Sequence, residues 1–147
     1  RQQVNSFMEK GDGLIAGGSW GVDSIALDEA LKNNPTAERI KIFLPTSLEI
    51  YSRHYRQRAI ENAIEKEEAE NLIKQLENLK KINSVSLVEN MKNQEVNRET
   101  YFERNGFVVT NADEMIAFQV NNSPGTQDTI EKAQEKRILV KVFKYTI

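Results

Sequence analysis

A small-residue segment, Gly17-Gly18-Ser19-Trp20-Gly21, lies between the apolar residues 14–16 and a helix-like pattern that begins near Asp23. Backbone N–H groups at the start of a helix point outward, and together with the helix dipole they bind phosphate groups. The segment therefore predicts a phosphate-binding turn between a strand and a helix, although a tight connection that binds nothing uses the same residue types. Its spacing differs from that of the P-loop and from the dinucleotide fingerprint.

A second small-residue turn, Ser123-Pro124-Gly125-Thr126, follows the charge-free apolar residues 115–120. Its hydroxyl groups, with the N–H groups near Gly125, are suitable donors for a phosphate or a ribose. In open parallel sheets the carboxyl ends of the strands share one edge, where ligands bind. We therefore expect the two turns to line one crevice, with Arg104 and Asn105 contributing a charge and an amide.

Cations and aromatic side chains alternate after the apolar residues 40–44. Arginines near the start of a helix are not favoured by its dipole, so phosphate contact is the better explanation for Arg53 and Arg56. Tyr51 and Tyr55 fit either base stacking or ordinary packing, and His54 is interpreted as a surface residue. Trp20 is interpreted as a ligand contact, because a large aromatic side chain has little local reason to lie in a small-residue turn.

Hydrophobic spacing predicts alternating helices and strands, which is typical of an α/β fold with a parallel sheet. Strands are predicted at residues 14–16, 40–44, 107–109, 115–120 and 139–143, and the clearest helices at 2–10, 59–81 and 127–136. Residues 83–99 are predicted to form a loop with one short helix. We predict a single domain over residues 1–147, with a charged helical insertion at about 59–99.

Composition excludes several kinds of site. The chain of 147 residues has no cysteine, one histidine and a net charge of -2. These counts exclude disulfides, thiolate or histidine-cluster metal sites and a cysteine nucleophile, and they argue against a wholly basic nucleic-acid binder. No apolar run approaches the roughly 20 residues of a membrane span, and no signal peptide is recognised, so we expect a cytoplasmic protein without metal or cofactor.

Three motifs in order, GGSWGVD, YFERN and NNSPGTQDTIEKA leading into ILVKVF, resemble the SLOG superfamily of Rossmann-like ligand-binding domains. Within it the pattern is similar to the DNA-processing protein A (Smf) family and to small bacterial and phage proteins of the YspA/YpsA type. The resemblance covers residues 14–44 and 101–143. It implies a Rossmann-like three-layer sandwich with a mostly parallel sheet. Such domains open with a strand before the first helix, and no strand-like segment stands there in this sequence.

The resemblance also implies a pocket for a nucleotide or for the phosphates of single-stranded DNA. The residues that it would use are Gly17, Gly18, Ser19, Gly21, Asp23, Arg104, Asn105, Ser123, Gly125 and Thr126. The enzymatic branch of the superfamily, the lysine-decarboxylase-like nucleotide phosphoribohydrolases, carries a double glycine and a glutamate pair. Here a single Gly125 precedes Thr126, and Asp128 and Thr129 stand at the glutamate positions. Glycosidic cleavage needs a carboxylate beside the ribose, a role that Asp128 or Glu131 would have to take.

We therefore expect a nucleotide-binding or nucleic-acid-binding module, a sensor more than an enzyme. One alternative is a nucleoside-monophosphate phosphoribohydrolase, and another is an assembly module whose glycine turns bind nothing. A homodimer is compatible with each function, and the charged helix at 59–81 is the natural candidate for its surface.

Overall fold

The computed structural model describes residues 1–147, and it is an α/β fold with the Rossmann-like alternation that the sequence predicts. All strand pairs are parallel. The elements in chain order are α1 (Gln2–Glu9), β1 (Leu14–Gly17), α2 (Val22–Asn33), β2 (Ile40–Phe43), α3 (Leu48–Ile60), α4 (Lys66–Ile82), a 3-10 turn (Ser84–Ser86), β3 (Leu87–Val88), α5 (Arg98–Asn111), β4 (Glu114–Val120), α6 (Pro124–Lys136) and β5 (Leu139–Tyr145). None of these helices has the length and apolarity that crossing a membrane requires.

The chain divides into two compact units, Arg1–Val96 and Asn97–Ile147. The first unit contains a three-stranded sheet in the order β1-β2-β3. Helix α2 packs against β1 and β2, and α4 packs against α3 and β3. The apolar stripe of α4 (Ala69, Leu72, Ile73, Leu76 and Leu79) is buried by this packing. The stripe therefore belongs to the core of this unit, and apart from Ile82 in its last turn the residues that α4 leaves exposed are polar.

The second unit pairs β4 with β5 in parallel over seven residues, from Glu114 with Leu139 to Val120 with Tyr145. Helix α6 connects the two strands and packs against both, and α5 packs against α6. The Lys136 ammonium donates hydrogen bonds to the carbonyl groups of Val109, Thr110 and Ala112 at the end of α5. A cation at a helix C-terminus is favoured by the helix dipole, so this contact fixes α5 against α6.

Two predicted elements differ in the structure. Residues 107–109 belong to α5 and not to a strand. Asn97 begins this helix by accepting from the Thr100 N–H group, and packing on α6 outweighs the strand preference of a Phe-Val-Val run. The helix predicted at 59–81 is two helices, because Asn62 adopts a left-handed conformation with φ of 58° and Glu65 starts α4.

Candidate functional site

The glycine turn, defined as residues 17–21, connects the carboxyl end of β1 to α2. Its N–H groups donate within the protein. The Ser19 N–H donates to the Asp23 carboxylate at 3.3 Å, and the Gly21 N–H donates to the Ser24 hydroxyl at 3.0 Å. Asp23 and Ser24 in the first turn of α2 therefore accept hydrogen bonds that these N–H groups could otherwise donate to a phosphate.

Two tyrosines on α3 hold the same turn from the neighbouring strand connection. The Tyr51 hydroxyl donates to the Gly18 carbonyl at 2.9 Å, and the Trp20 N–H donates to the Tyr55 hydroxyl at 3.1 Å. Tyr51 is 1% exposed and Tyr55 is 2% exposed. Of the two interpretations of these rings, the structure shows packing.

Two of the glycines have steric reasons for their identity. A Cβ atom on Gly18 would lie 2.5 Å from Leu44 Cδ2, inside the core. Gly21 has φ of +105°, a conformation that residues with a side chain rarely adopt. Gly18 therefore permits the close approach of the turn to β2, and Gly21 permits the change of direction into α2.

Trp20 is the part of the glycine turn that projects outward. The residue is 38% exposed, and Val22 and Ile25 on α2 are exposed as well. The turn therefore presents an aromatic side chain, while its Ser19, Trp20 and Gly21 N–H groups are used inside the protein.

The arginines predicted to contact phosphate are paired with glutamates. Arg56 forms two hydrogen bonds with the Glu70 carboxylate, at 2.8 and 3.3 Å. These bonds raise the pKa of the Arg56 guanidinium and lower that of the Glu70 carboxyl. Arg53 lies 3.8 Å from Glu49, and both side chains are largely exposed. Arg53 is therefore the more accessible of the two cations.

His54 lies between the core and solvent rather than fully on the surface. Its ring packs edge-to-face on Tyr55, with the ring centroids 5.9 Å apart. Burial lowers the pKa of His54, and Arg58 lowers it further. The imidazole is therefore harder to protonate than a solvent-exposed histidine, which makes it a poor cation for phosphate.

The N-terminus of α3 is occupied by a carboxylate of the same unit. The Glu89 carboxylate accepts from the Leu48 N–H at 2.8 Å and from the Lys80 ammonium at 2.9 Å. Burial raises the pKa of Glu89, but these two contacts outweigh it and the pKa is lowered. The protein thus supplies its own anion at this helix start.

In the second unit, the structure brings Asn105 to the first turns of α6. Asn105 Nδ2 donates to the Gly125 carbonyl at 3.3 Å and to the Asp128 carboxylate at 3.2 Å. The guanidinium Nε of Arg104 donates to Asn105 Oδ1 at 3.2 Å, and Arg104 is 7% exposed. Asp128 is also paired with Lys132. We call Arg104, Asn105, Asp128 and Lys132 the Asn105 cluster.

The N-terminus of α6 is open, in contrast to that of α3. Ser123 makes no side-chain capping bond, and Pro124 occupies the first turn. Gly125 is exposed, and a Cβ atom there would meet nothing within 4 Å. Helix geometry leaves the N–H groups of the first turn without intrahelical partners, so the Gly125 and Thr126 N–H groups face a side from which a ligand can approach.

The predicted site residues therefore form two groups, one in each unit. Gly17, Gly18, Ser19, Trp20, Gly21 and Asp23 form the glycine turn and its helix start, with Arg53 and Arg56 on α3 of the same unit. Arg104, Asn105, Ser123, Gly125 and Thr126 belong to the Asn105 cluster and the start of α6. No group of three or more histidine, cysteine or acidic side chains is arranged to hold a metal ion.

Sequence reasoning missed Lys132 and Gln119. Lys132 follows Asp128 by four residues, which is the spacing of a helical ion pair and a usable signal. Gln119 is buried in β4, and nothing in a charge-free strand marks it.

No protein-family model, no curated protein and no solved structure matches this chain.

Proposed function

We propose that this chain binds a nucleotide or a single-stranded nucleic acid through phosphate, and acts as a binding or sensing module. The observation that carries the proposal is the open N-terminus of α6 beside the Asn105 cluster. The helix dipole, backbone donors and hydroxyl groups lie at the start of α6, and Asn105 connects them to Arg104 within the same unit. These are the groups that recognise a phosphate in proteins.

Donors at the start of α6 are suited to the oxygens of a phosphate. The N–H groups of Gly125 and Thr126 lie in the first turn, and Pro124 has no N–H group to lose. Ser123 and Thr126 add hydroxyl groups that can reorient toward an oxygen. The Ser123 side chain makes no hydrogen bond to the helix start. A phosphate could therefore bind here without displacing a side-chain cap.

Arg104 supplies positive charge near these donors. Its position is fixed by the hydrogen bond to Asn105 and by the ring of Tyr101, whose centroid lies 5.3 Å from the guanidinium carbon. A buried cation acts on an anion through a medium of low dielectric constant, so its attraction is stronger than that of an exposed lysine. In this proposal Arg104 acts as a fixed charge and Asn105 orients it toward α6.

The glycine turn has a different part in the proposal. Three of its N–H groups already donate within the protein, so Gly17, Gly18, Ser19, Gly21 and Asp23 shape the turn. Within the first unit Trp20 is the group suited to contact a base, because its aromatic side chain is partly exposed and can stack.

The test is a titration of the purified protein with AMP, GMP and a short single-stranded DNA at low salt. Gly125→Ala places a methyl group in the open space at the start of α6 without a clash. We expect this variant to bind at least about tenfold more weakly, since a methyl group blocks approach to the N–H groups. Alanine also raises helix stability by roughly 0.5–1 kcal/mol relative to glycine, so the variant remains folded.

Gly106→Ala is the matched control, because it makes the same change within α5 and its Cβ atom would meet only Lys132 Cε, at 3.9 Å. We expect this variant to bind as the wild type does. Absence of binding to all three probes by the wild-type protein would refute the proposal. Release of free base from AMP, abolished by Asp128→Ala or Glu131→Ala, would replace it with a phosphoribohydrolase.

A further inference from the structure

Gln119 is a buried amide at the inner side of the first turns of α6. The residue is 1% exposed and lies near the carboxyl end of β4. Its Nε2 donates to the Ser123 carbonyl at 3.4 Å and to Gln127 Oε1 at 3.0 Å. Its other polar atom, Oε1, is buried and has no hydrogen-bond partner. The amide therefore has its donors satisfied and its acceptor unsatisfied.

The orientation of this amide is fixed from the outer end of a hydrogen-bond chain. Gln127 Nε2 donates to Glu131 Oε1 at 3.1 Å. An ionised carboxylate only accepts, so this bond turns the Gln127 NH₂ group to Glu131 and its oxygen to Gln119, and the Ser123 carbonyl, which also only accepts, favours the same orientation of Gln119. Gln119 must in turn give its NH₂ group to Gln127. The chain leaves Gln119 Oε1 as an acceptor at its inner end.

A buried acceptor without a partner destabilises the folded protein, because the oxygen loses its hydrogen bonds to water. An apolar side chain of similar size would avoid that cost at the same position in β4. Departures of this kind are expected at functional sites. The partner that Oε1 calls for is an N–H or O–H group, and a fully ionised phosphate has only acceptor oxygens to offer.

We infer that Gln119 Oε1 accepts a hydrogen bond from a nucleotide whose phosphate lies at the start of α6, and thereby selects ligands that carry a donor near the phosphate. The inference rests on the proposed function. A nucleotide has two donors of this chemistry, a ribose hydroxyl and an exocyclic base amine. The phosphate dianion of a nucleotide has no O–H group, so on its own it would bind at the start of α6 without using Gln119.

Access to Gln119 involves the turn that follows β4. Asn121 and Asn122 form this turn with φ of 50° and 54°, a left-handed conformation that asparagine adopts more readily than other residues with a side chain. Both residues are exposed. In this proposal the exposed turn moves aside when the ligand donor reaches Oε1.

The test compares AMP with two analogues on the wild-type protein and on Gln119→Met. One analogue is 2′,3′-dideoxyadenosine monophosphate, which lacks the ribose hydroxyls, and the other is purine riboside monophosphate, which lacks the amine. We expect one analogue to bind roughly 5- to 50-fold more weakly than AMP to the wild type, the range for one buried hydrogen bond. We expect Gln119→Met, which has no acceptor of comparable strength, to bind AMP and that analogue equally.

Glu131→Gln provides a second variant at an exposed position. The new amide can donate as well as accept, so the orientation of Gln127 and Gln119 is no longer imposed, and discrimination between AMP and the weaker analogue should fall by about twofold or more.

The inference is overturned if the wild type binds AMP and both analogues equally, or if Gln119→Met retains the discrimination. In either case the proposed function stands. If AMP does not bind and phosphate or DNA does, only the inference fails. If no probe binds, both fail.

Discussion

Two buried hydroxyl groups connect the glycine turn to a helix that is more than 25 residues further along the chain. The Tyr51 hydroxyl donates a hydrogen bond to the Gly18 carbonyl, and the Tyr55 hydroxyl accepts one from the Trp20 N–H. Neither partner could be predicted from the sequence, because a tyrosine in a basic, aromatic segment fits stacking and packing equally well. The pairing depends on how α3 lies beside the glycine turn and packs against α4.

Tyr51→Phe and Tyr55→Phe each remove one hydroxyl and leave a backbone group without its partner. We expect each to lower the free energy of unfolding by about 1–2 kcal/mol, the range for a lost hydrogen bond with a buried partner. Urea unfolding followed by circular dichroism measures the change. Tyr145→Phe is the control, since Tyr145 is exposed, and its effect should be near zero. An equal effect of all three substitutions would contradict the assignment.

Arg104 and Asn105 were singled out as neighbours of the small-residue turn that begins at Ser123, and Asn105 does contact Gly125. The pairing of Arg56 with Glu70 was not foreseen, because it joins two helices whose separation the sequence does not show. Local residue types thus indicated that Asn105 and the turn at Gly125 lie together in the second unit, and their role in binding stays a prediction. They did not indicate which arginines are neutralised in the first.

At the level of elements, strands bounded by glycine or proline were predicted well and longer polar stretches were not. Leu14–Gly17 and Ile40–Phe43 are strands, as their apolar runs predict. Residues 107–109 are helical although their residue types favour a strand. The packing of α5 against α6 outweighs that local preference. The break between α3 and α4 depends on the left-handed backbone conformation of Asn62. The charged, helix-like sequence around it does not predict this conformation.

The start of α3 gives a prediction of pH dependence. The pKa of Glu89 is lower in the folded protein than its ordinary value of about 4.3. Its contribution to stability is therefore present above pH 4.3 and is lost as the pH falls through the folded pKa. Unfolding free energies of the wild type and Glu89→Gln should differ most at pH 6–7 and converge toward pH 3. A difference that does not change with pH would contradict the role of Glu89 as an internal anion.

At the level of the whole molecule, the α/β class and the parallel pairing were predictable because strand and helix patterns alternate along the chain. The division into units at Val96 and Asn97 was not visible, since residues 83–99 are polar throughout and carry no strong boundary signal. The single-domain organisation remains a prediction.

The net charge of -2 suggests that the affinity for single-stranded DNA depends only weakly on salt concentration. A nucleic-acid binder that follows the backbone over many phosphates releases a counterion at each contact, whereas a single site at α6 involves one or two. We expect the logarithm of the association constant for single-stranded DNA to fall against the logarithm of salt concentration with a slope of about -0.7 to -1.4. A slope steeper than about -4 would indicate an extended basic groove and contradict a local site.

The central claim is that phosphate binds at the start of α6, and backbone amide NMR tests it most directly. Titration with AMP should shift the Gly125 and Thr126 N–H resonances strongly, because a phosphate oxygen would accept from them. The Ser19 and Gly21 N–H groups, which donate to Asp23 and Ser24, should keep their hydrogen bonds and shift little. Large shifts confined to residues 18–24, with Gly125 and Thr126 unchanged, would contradict the claim.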